Sequence, residues 1–239
     1  MEKVFKIFVD FDGTVTKQDV GEKIFRKFAD RKKVDNIIED LLGGKLSSRD
    51  CWLQLCDAVP FINKSELDSF IDSMDVEPSF INFKEYCRSK SDELIILSDG
   101  FDYYIDRVFK LNSINGIKVY ANKLELVENK LIPEFPHYYD SCFISANCKR
   151  THVINNSSDE DFTVFIGDGN SDKDVVQYCD FIFAKDDLLR YCEMERITFF
   201  PFKDFTDVIK KLDELKSKKR LKKRSRAQLN RQRIYSIEY

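Results

Sequence analysis

Hydrophobic and polar positions change their spacing along the chain, and the changes mark its elements. Val4 to Val9 is an apolar, β-prone run that stops at Asp10-Phe11-Asp12-Gly13-Thr14, which predicts a buried strand ending in a turn. From about Lys17 to Ser73 apolar residues recur at three and four, as in Val20, Ile24 and Phe28, then Val34, Ile37, Ile38 and Leu41. That spacing is helical, and Gly43-Gly44 and Pro60 break the block into pieces. A further helix is predicted over about Pro78 to Arg88. The pattern then alternates. A strand over Glu93 to Leu97 closes on Ser98-Asp99-Gly100, and a helix follows over about Phe101 to Phe109. Ile117 to Tyr120 and Lys123 to Val127 read as short strands with a hairpin near Asn129. Lys149 to Asn155 is helical, and Phe162 to Ile166 is a strand closing on Gly167-Asp168-Gly169-Asn170. A helix over about Asp172 to Tyr178 and a strand over Phe181 to Phe183 complete the series.

Strands alternating with helices predict an α/β fold, a Rossmann-like parallel sheet with helices on both faces. Three of the strands end in polar, glycine-containing loops, and in such sheets the active site lies beyond the carboxyl ends of the strands. The helical block between the first strand and the next suits a mobile cap over that place. The predicted division is therefore a core of residues 1–16 and 75–215, a helical cap of 17–74, and a C-terminal tail of 216–239.

Charge adds the tail. The net charge is −3, but Lys216 to Arg233 holds ten Lys/Arg and no acid, and the 29 basic and 41 acidic residues before Lys216 leave −12 on the body. The tail reads as a solvated basic helix extension or a disordered arm, with contact to nucleic acid or an anionic surface as the other reading. The uncharged apolar runs are strand-sized, so no membrane span is expected. The N-terminal run is short, reaches Asp10 and Asp12 at once, and has no export signal, which points to the cytoplasm. Seven cysteines, odd in number and scattered, fit reduced buried thiols there.

The candidate chemistry begins at the first turn. Residues two apart on an extended segment point the same way, so Asp10 and Asp12 can face one site. Gly13 lets the backbone turn sharply. Paired carboxylates repel and call for a cation, and Mg²⁺ takes oxygen ligands and bridges carboxylate to phosphate. One carboxylate can then attack phosphorus, while the other protonates the leaving alcohol and later activates water.

With three further strings in order, Asp10-Phe11-Asp12-Gly13-Thr14 resembles the first motif of the haloacid dehalogenase-like phosphatases. Ser98 matches the second, Lys149 the third, and Gly167-Asp168-Gly169-Asn170-Ser171-Asp172 the acidic fourth. The resemblance covers roughly residues 4 to 183. It implies Asp10 as nucleophile, Asp12 as acid/base, and Lys149 as the cation that pairs with phosphate and nucleophile. It implies Ser98, Asp99 and Gly100 around the phosphate, and Mg²⁺ held by Asp10, Asp168 and the Asp12 carbonyl, with Asp172 orienting metal-bound water.

The cap position is that of the phosphoserine phosphatase-like branch, with a C1-type cap. Cys148-Lys149, Phe183-Ala184-Lys185-Asp186-Asp187-Leu188-Leu189 and Phe200-Pro201-Phe202-Lys203-Asp204-Phe205 resemble the methionine-salvage enzymes. Those act on 2-hydroxy-3-keto-5-methylthiopentenyl-1-phosphate. Asp99 departs from the Ser-Gly-Gly of these relatives. It either favours a cationic substrate, such as phosphoethanolamine or phosphocholine, or points away and caps the next helix. A phosphoserine phosphatase is a further alternative. The expected substrate is a small phosphorylated metabolite in each case. The rivals are a phosphotransferase and a catalytically quiet phosphate- or nucleic-acid-binding protein. The intact Asp10/Asp12 pair argues against the second.

Overall fold

A computed structural model describes residues 3–235. β1 (Phe5–Val9) is followed by α1 (Val20–Phe28), α2 (Arg31–Leu42), α3 (Ser48–Asp57), α4 (Lys64–Asp72), α5 (Pro78–Ser89) and β2 (Glu93–Phe101). α6 (Asp102–Leu111) leads into β3 (Lys118–Val127), β4 (Lys130–Glu134) and α7 (Lys149–Asn155). Then come β5 (Phe162–Gly167), β6 (Phe181–Ala184), α8 (Asp186–Met194), β7 (Phe200–Pro201), α9 (Phe205–Ser217) and α10 (Ser225–Tyr235). The strand order is β4-β3-β2-β1-β5-β6-β7. All neighbours from β2 to β7 run parallel, and β3 and β4 are antiparallel. The predicted α/β sheet with flanking helices is therefore present. No helix among the described residues is long and apolar enough to cross a membrane.

The chain forms two compact units. Among the described residues, one contains 3–10, Glu77–Leu97 and 149–235, and the other contains Phe11–Val76 and Ser98–Cys148. In the first unit β1 pairs with β2 on one side and β5 on the other, with Val9 opposite Ile96 and Ile166. Ile7, Phe8 and Val9 are fully buried, as a parallel strand covered on both faces requires. Phe80 and Phe83 of α5 pack on Phe205 of α9 at ring distances of 5.2 and 4.9 Å.

In the second unit α1 to α4 each start on a side-chain cap, from Asp19, Asp30, Ser47 and Asn63. Each cap accepts a backbone N–H that has no partner within its helix. The apolar stripes of these helices are buried, and Trp52 of α3 sits between Phe25 and Phe101 at 5.8 and 5.0 Å. After β1 the chain turns through Phe11–Val15, where Gly13 takes φ +79°. That left-handed conformation favours glycine.

Three expectations are corrected. The two short strands near 117–127 are one strand, β3, and the apparent break is Asn122, which is buried and donates from Nδ2 to the Asp99 carbonyl at 2.6 Å. The hairpin turns at Glu128 and Asn129, both at positive φ. The helix expected over 172–178 is two short 3₁₀ turns, Asn170–Asp172 and Val175–Tyr178.

The third correction is the basic tail, of which residues 236–239 lie outside the described residues. It is not a solvated arm. Arg231 is fully buried, and its guanidinium donates to the Tyr178 carbonyl, to Thr163 Oγ1 at 3.1 Å and to both oxygens of Asp180 at 3.4 Å. Asn230 adds a bond to the Gln177 carbonyl at 3.1 Å, and Ala227 is fully buried. The expected helix is present, but it docks through a buried charge rather than lying in solvent.

Candidate active site

In the first unit the loop after β1, the start of α7 and the loop after β5 bring Asp10, Lys149, Asp168 and Asp172 together. Asp10, Lys149 and Asp172 are 4%, 1% and 0% exposed. Lys149 Nζ donates to Asp10 Oδ1, to Asp172 Oδ1 at 2.6 Å and to Ser171 Oγ at 3.0 Å. Asp172 Oδ2 accepts the N–H groups of Asp168 and Gly169, both at 3.1 Å. Asp172 thus fixes the loop that presents Asp168, and its own oxygens are engaged in doing so.

The charge balance of this cluster is negative. Burial works against the Lys149 ammonium, but Asp10 and Asp172 hold it protonated, above its usual range. Burial pushes the Asp10 carboxyl well above its usual range. Lys149 pulls it down, and Asp172 and Asp168 push it up again. Asp10, Asp168 and Asp172 each offer an oxygen within 4.8 Å of the others. Three carboxylates against one ammonium, all oxygen donors, fit a hard divalent cation.

The second unit holds Asp12, Ser98, Asp99 and Gly100. Asp12 Oδ1 accepts the Val20 N–H at 2.8 Å. Asp12 Oδ2 accepts the Tyr104 hydroxyl at 2.7 Å and the Ser98 hydroxyl at 3.3 Å. Ser98 Oγ also accepts the Gly100 N–H at 3.0 Å and is fully buried. Asp99 Oδ1 accepts from Ser145 Oγ at 2.7 Å and the Asn147 N–H at 2.9 Å. Its Oδ2 accepts from Ser48 Oγ and from Trp52 Nε1 at 3.3 Å. Asp99 does not cap α6, whose N-cap is Phe101 without a side-chain bond.

The model of the haloacid dehalogenase-like hydrolases matches residues 7–176, most of the chain. The chain belongs to the haloacid dehalogenase-like hydrolases. Among relatives of this hydrolase, Pdp3-interacting factor 1 of Schizosaccharomyces pombe is 31% identical, over 90% of this chain and 97% of that protein. A Bacillus mycoides protein named 2-hydroxy-3-keto-5-methylthiopentenyl-1-phosphate phosphatase is 28% identical, over 88% of this chain and 96% of that one. Among solved structures, a phospho-aspartyl intermediate analogue of phosphoserine phosphatase superposes with a TM-score of 0.68 at 18% identity. It covers 88% of this chain and 99% of that one, and it shows the shared fold. The family and the phosphatase class implied by the four motifs therefore stand.

Several polar partners in this hydrolase carry no sequence signal of their own. Ser171, inside the fourth motif, is the third acceptor of Lys149. The partners of Asp99 are Ser48 and Trp52 of α3, and Ser145 and Asn147 just before α7. Tyr104 lies four residues after Gly100 in the first turn of α6, where it reads as an ordinary core aromatic.

Proposed function

We propose that the chain is a Mg²⁺-dependent phosphomonoester hydrolase that carries phosphoryl on Asp10 and acts on a small phosphorylated metabolite. The buried Asp10–Lys149–Asp172 cluster with Asp168 beside it supports this reading most strongly. Asp10, Asp168 and the Asp12 carbonyl would hold the ion, which when bound supplies positive charge against the phosphoryl oxygens. Asp10 attacks phosphorus, and the bond from phosphorus to the leaving oxygen breaks. Asp12, two residues on, gives that oxygen its proton. Asp12 then takes a proton from water, which attacks the aspartyl-phosphate, releases inorganic phosphate and restores Asp10. Lys149, locked on two carboxylates, is an ammonium already in place where charge accumulates, so little reorganisation is needed in the transition state. Ser98 contributes a hydroxyl at the phosphate. Residues 17–74 act as the cap that selects substrate and excludes water.

Turnover is expected to stop in excess EDTA, to return with Mg²⁺ and to be inhibited by excess Ca²⁺, which prefers more ligands at longer distances. Full activity in EDTA overturns the metal assignment at Asp168.

For the substrate, a phosphomonoester whose remainder carries no charge, such as 2-hydroxy-3-keto-5-methylthiopentenyl-1-phosphate, is favoured over one that carries a cation. Both Asp99 oxygens are already taken by four donors within its own unit. A panel of neutral, cationic and carboxylate-bearing phosphomonoesters assayed with Mg²⁺ tests this. Asp99→Gly is expected to leave the kcat/KM ratio of phosphoethanolamine to neutral esters unchanged. It should lower stability by about 2 kcal/mol, because donors to a carboxylate lose their acceptor. A ratio that falls tenfold in Asp99→Gly restores the cationic reading.

A further inference from the structure

We propose that Tyr104 is a positioning residue for Asp12, fixing the carboxylate that handles the proton of the leaving group. The proposal rests on the hydrolase reading above. Tyr104 is 1% exposed in the first turn of α6, and its hydroxyl donates to Asp12 Oδ2 at 2.7 Å. Its ring lies 6.0 Å from Phe11 and 6.5 Å from Phe101, edge-on to the latter, so the phenol has a defined direction. Burial, and after it the Asp12 carboxylate, push the Tyr104 hydroxyl well above its usual range, which keeps it a donor.

Gly100 shows that the strand makes room for this contact. A Cβ at that position would lie 1.5 Å from Tyr104 Oη, 2.6 Å from its Cζ and 2.9 Å from Asp12 Oδ2. No side chain fits there while the phenol reaches Asp12, so Gly100 and Tyr104 form one device. The other Asp12 oxygen is held by Val20 N–H at 2.8 Å, one of the first N–H groups of α1 that the helix itself leaves without an acceptor. With Val20 on one oxygen and Tyr104 at 2.7 Å, backed by Ser98 at 3.3 Å, on the other, the plane of the Asp12 carboxylate is set. An acid that must meet a leaving oxygen within hydrogen-bond reach depends on that orientation. Misplacement by about 1 Å costs on the order of 10²-fold in rate.

Tyr104→Phe removes one oxygen and keeps the ring. Its effect depends on how much the leaving group needs a proton. An alkyl leaving group such as that of glycerol 2-phosphate departs with difficulty unless protonated, whereas 4-nitrophenolate departs unaided. Tyr104→Phe should lower kcat/KM for glycerol 2-phosphate about tenfold, a part of the usual contribution of a general acid. It should change kcat/KM for 4-nitrophenyl phosphate less than twofold. Loss of packing alone would lower both equally. An equal fall for the two esters, or no fall for either, overturns the role of Tyr104. A wild-type enzyme inert toward both esters overturns the hydrolase reading, and this proposal with it.

Discussion

Asp10→Asn is expected to lower turnover by about 10³-fold or more while the protein still folds. The amide has nearly the same shape but cannot be the nucleophile, and it offers no anionic oxygen to a cation. The change also removes one of the two carboxylates that Lys149 contacts, and one of the three that lie within 4.8 Å of one another. Burial already works against the charged form of Asp10, so the Asn variant should melt no lower than wild type in EDTA. The measurement is kcat on a generic phosphate ester with Mg²⁺, paired with a melting curve without metal. Near-normal turnover would overturn the covalent mechanism. A collapsed Tm would mean that Asp10 is a structural ion-pair partner.

The second large effect concerns stability and lies at the C-terminus. Arg231→Ala leaves Asp180 buried without its guanidinium, and breaking a buried pair in this way costs about 3–5 kcal/mol. For a chain of this size that lowers Tm by roughly 6–20 °C. Lys219→Ala, at an exposed position of the same basic run, should stay within about 0.5 kcal/mol of wild type. The double variant Arg231→Met/Asp180→Asn should recover part of the loss, since it removes the uncompensated charge and leaves the Thr163 N–H and hydroxyl an acceptor. Equal, small effects at 231 and 219 in thermal melts would refute the docked helix.

These two predictions fall on opposite sides of what the sequence makes legible. The site strands were readable because a parallel strand buried on both faces is a continuous apolar run, and each ends abruptly on Asp or Ser with glycine. Lys149–Asn155 was readable as a short helical segment. The docked tail was not readable. Its contact is made by Arg231, which in sequence is indistinguishable from the solvent-facing bases around it, and Leu229 nearby is 55% exposed. Hydrophobic periodicity reports apolar faces, and a helix that docks through charge has almost none. The 3₁₀ turns after Gly169 were misread because Asp172 is spent inside the site, on Lys149 and two loop N–H groups, and a regular helix gives way there. The polar residues of the motifs were visible while their hydrogen-bond partners were not, since Tyr104 and Asp99 find theirs through the fold.

The four donors on Asp99 also constrain how this position can drift in descendants of the gene. They come from α3 and from the segment just before α7, so one carboxylate joins parts of the chain that are distant in sequence. A glycine at 99 costs least where Ser48 and Ser145 have already become residues that need no acceptor, because contacting positions do not change independently. Substitution histories at 48, 99 and 145 should therefore be correlated, with changes at the serines preceding the loss of the acid. Transplanting a single residue between such lineages should cost stability that transplanting the set does not.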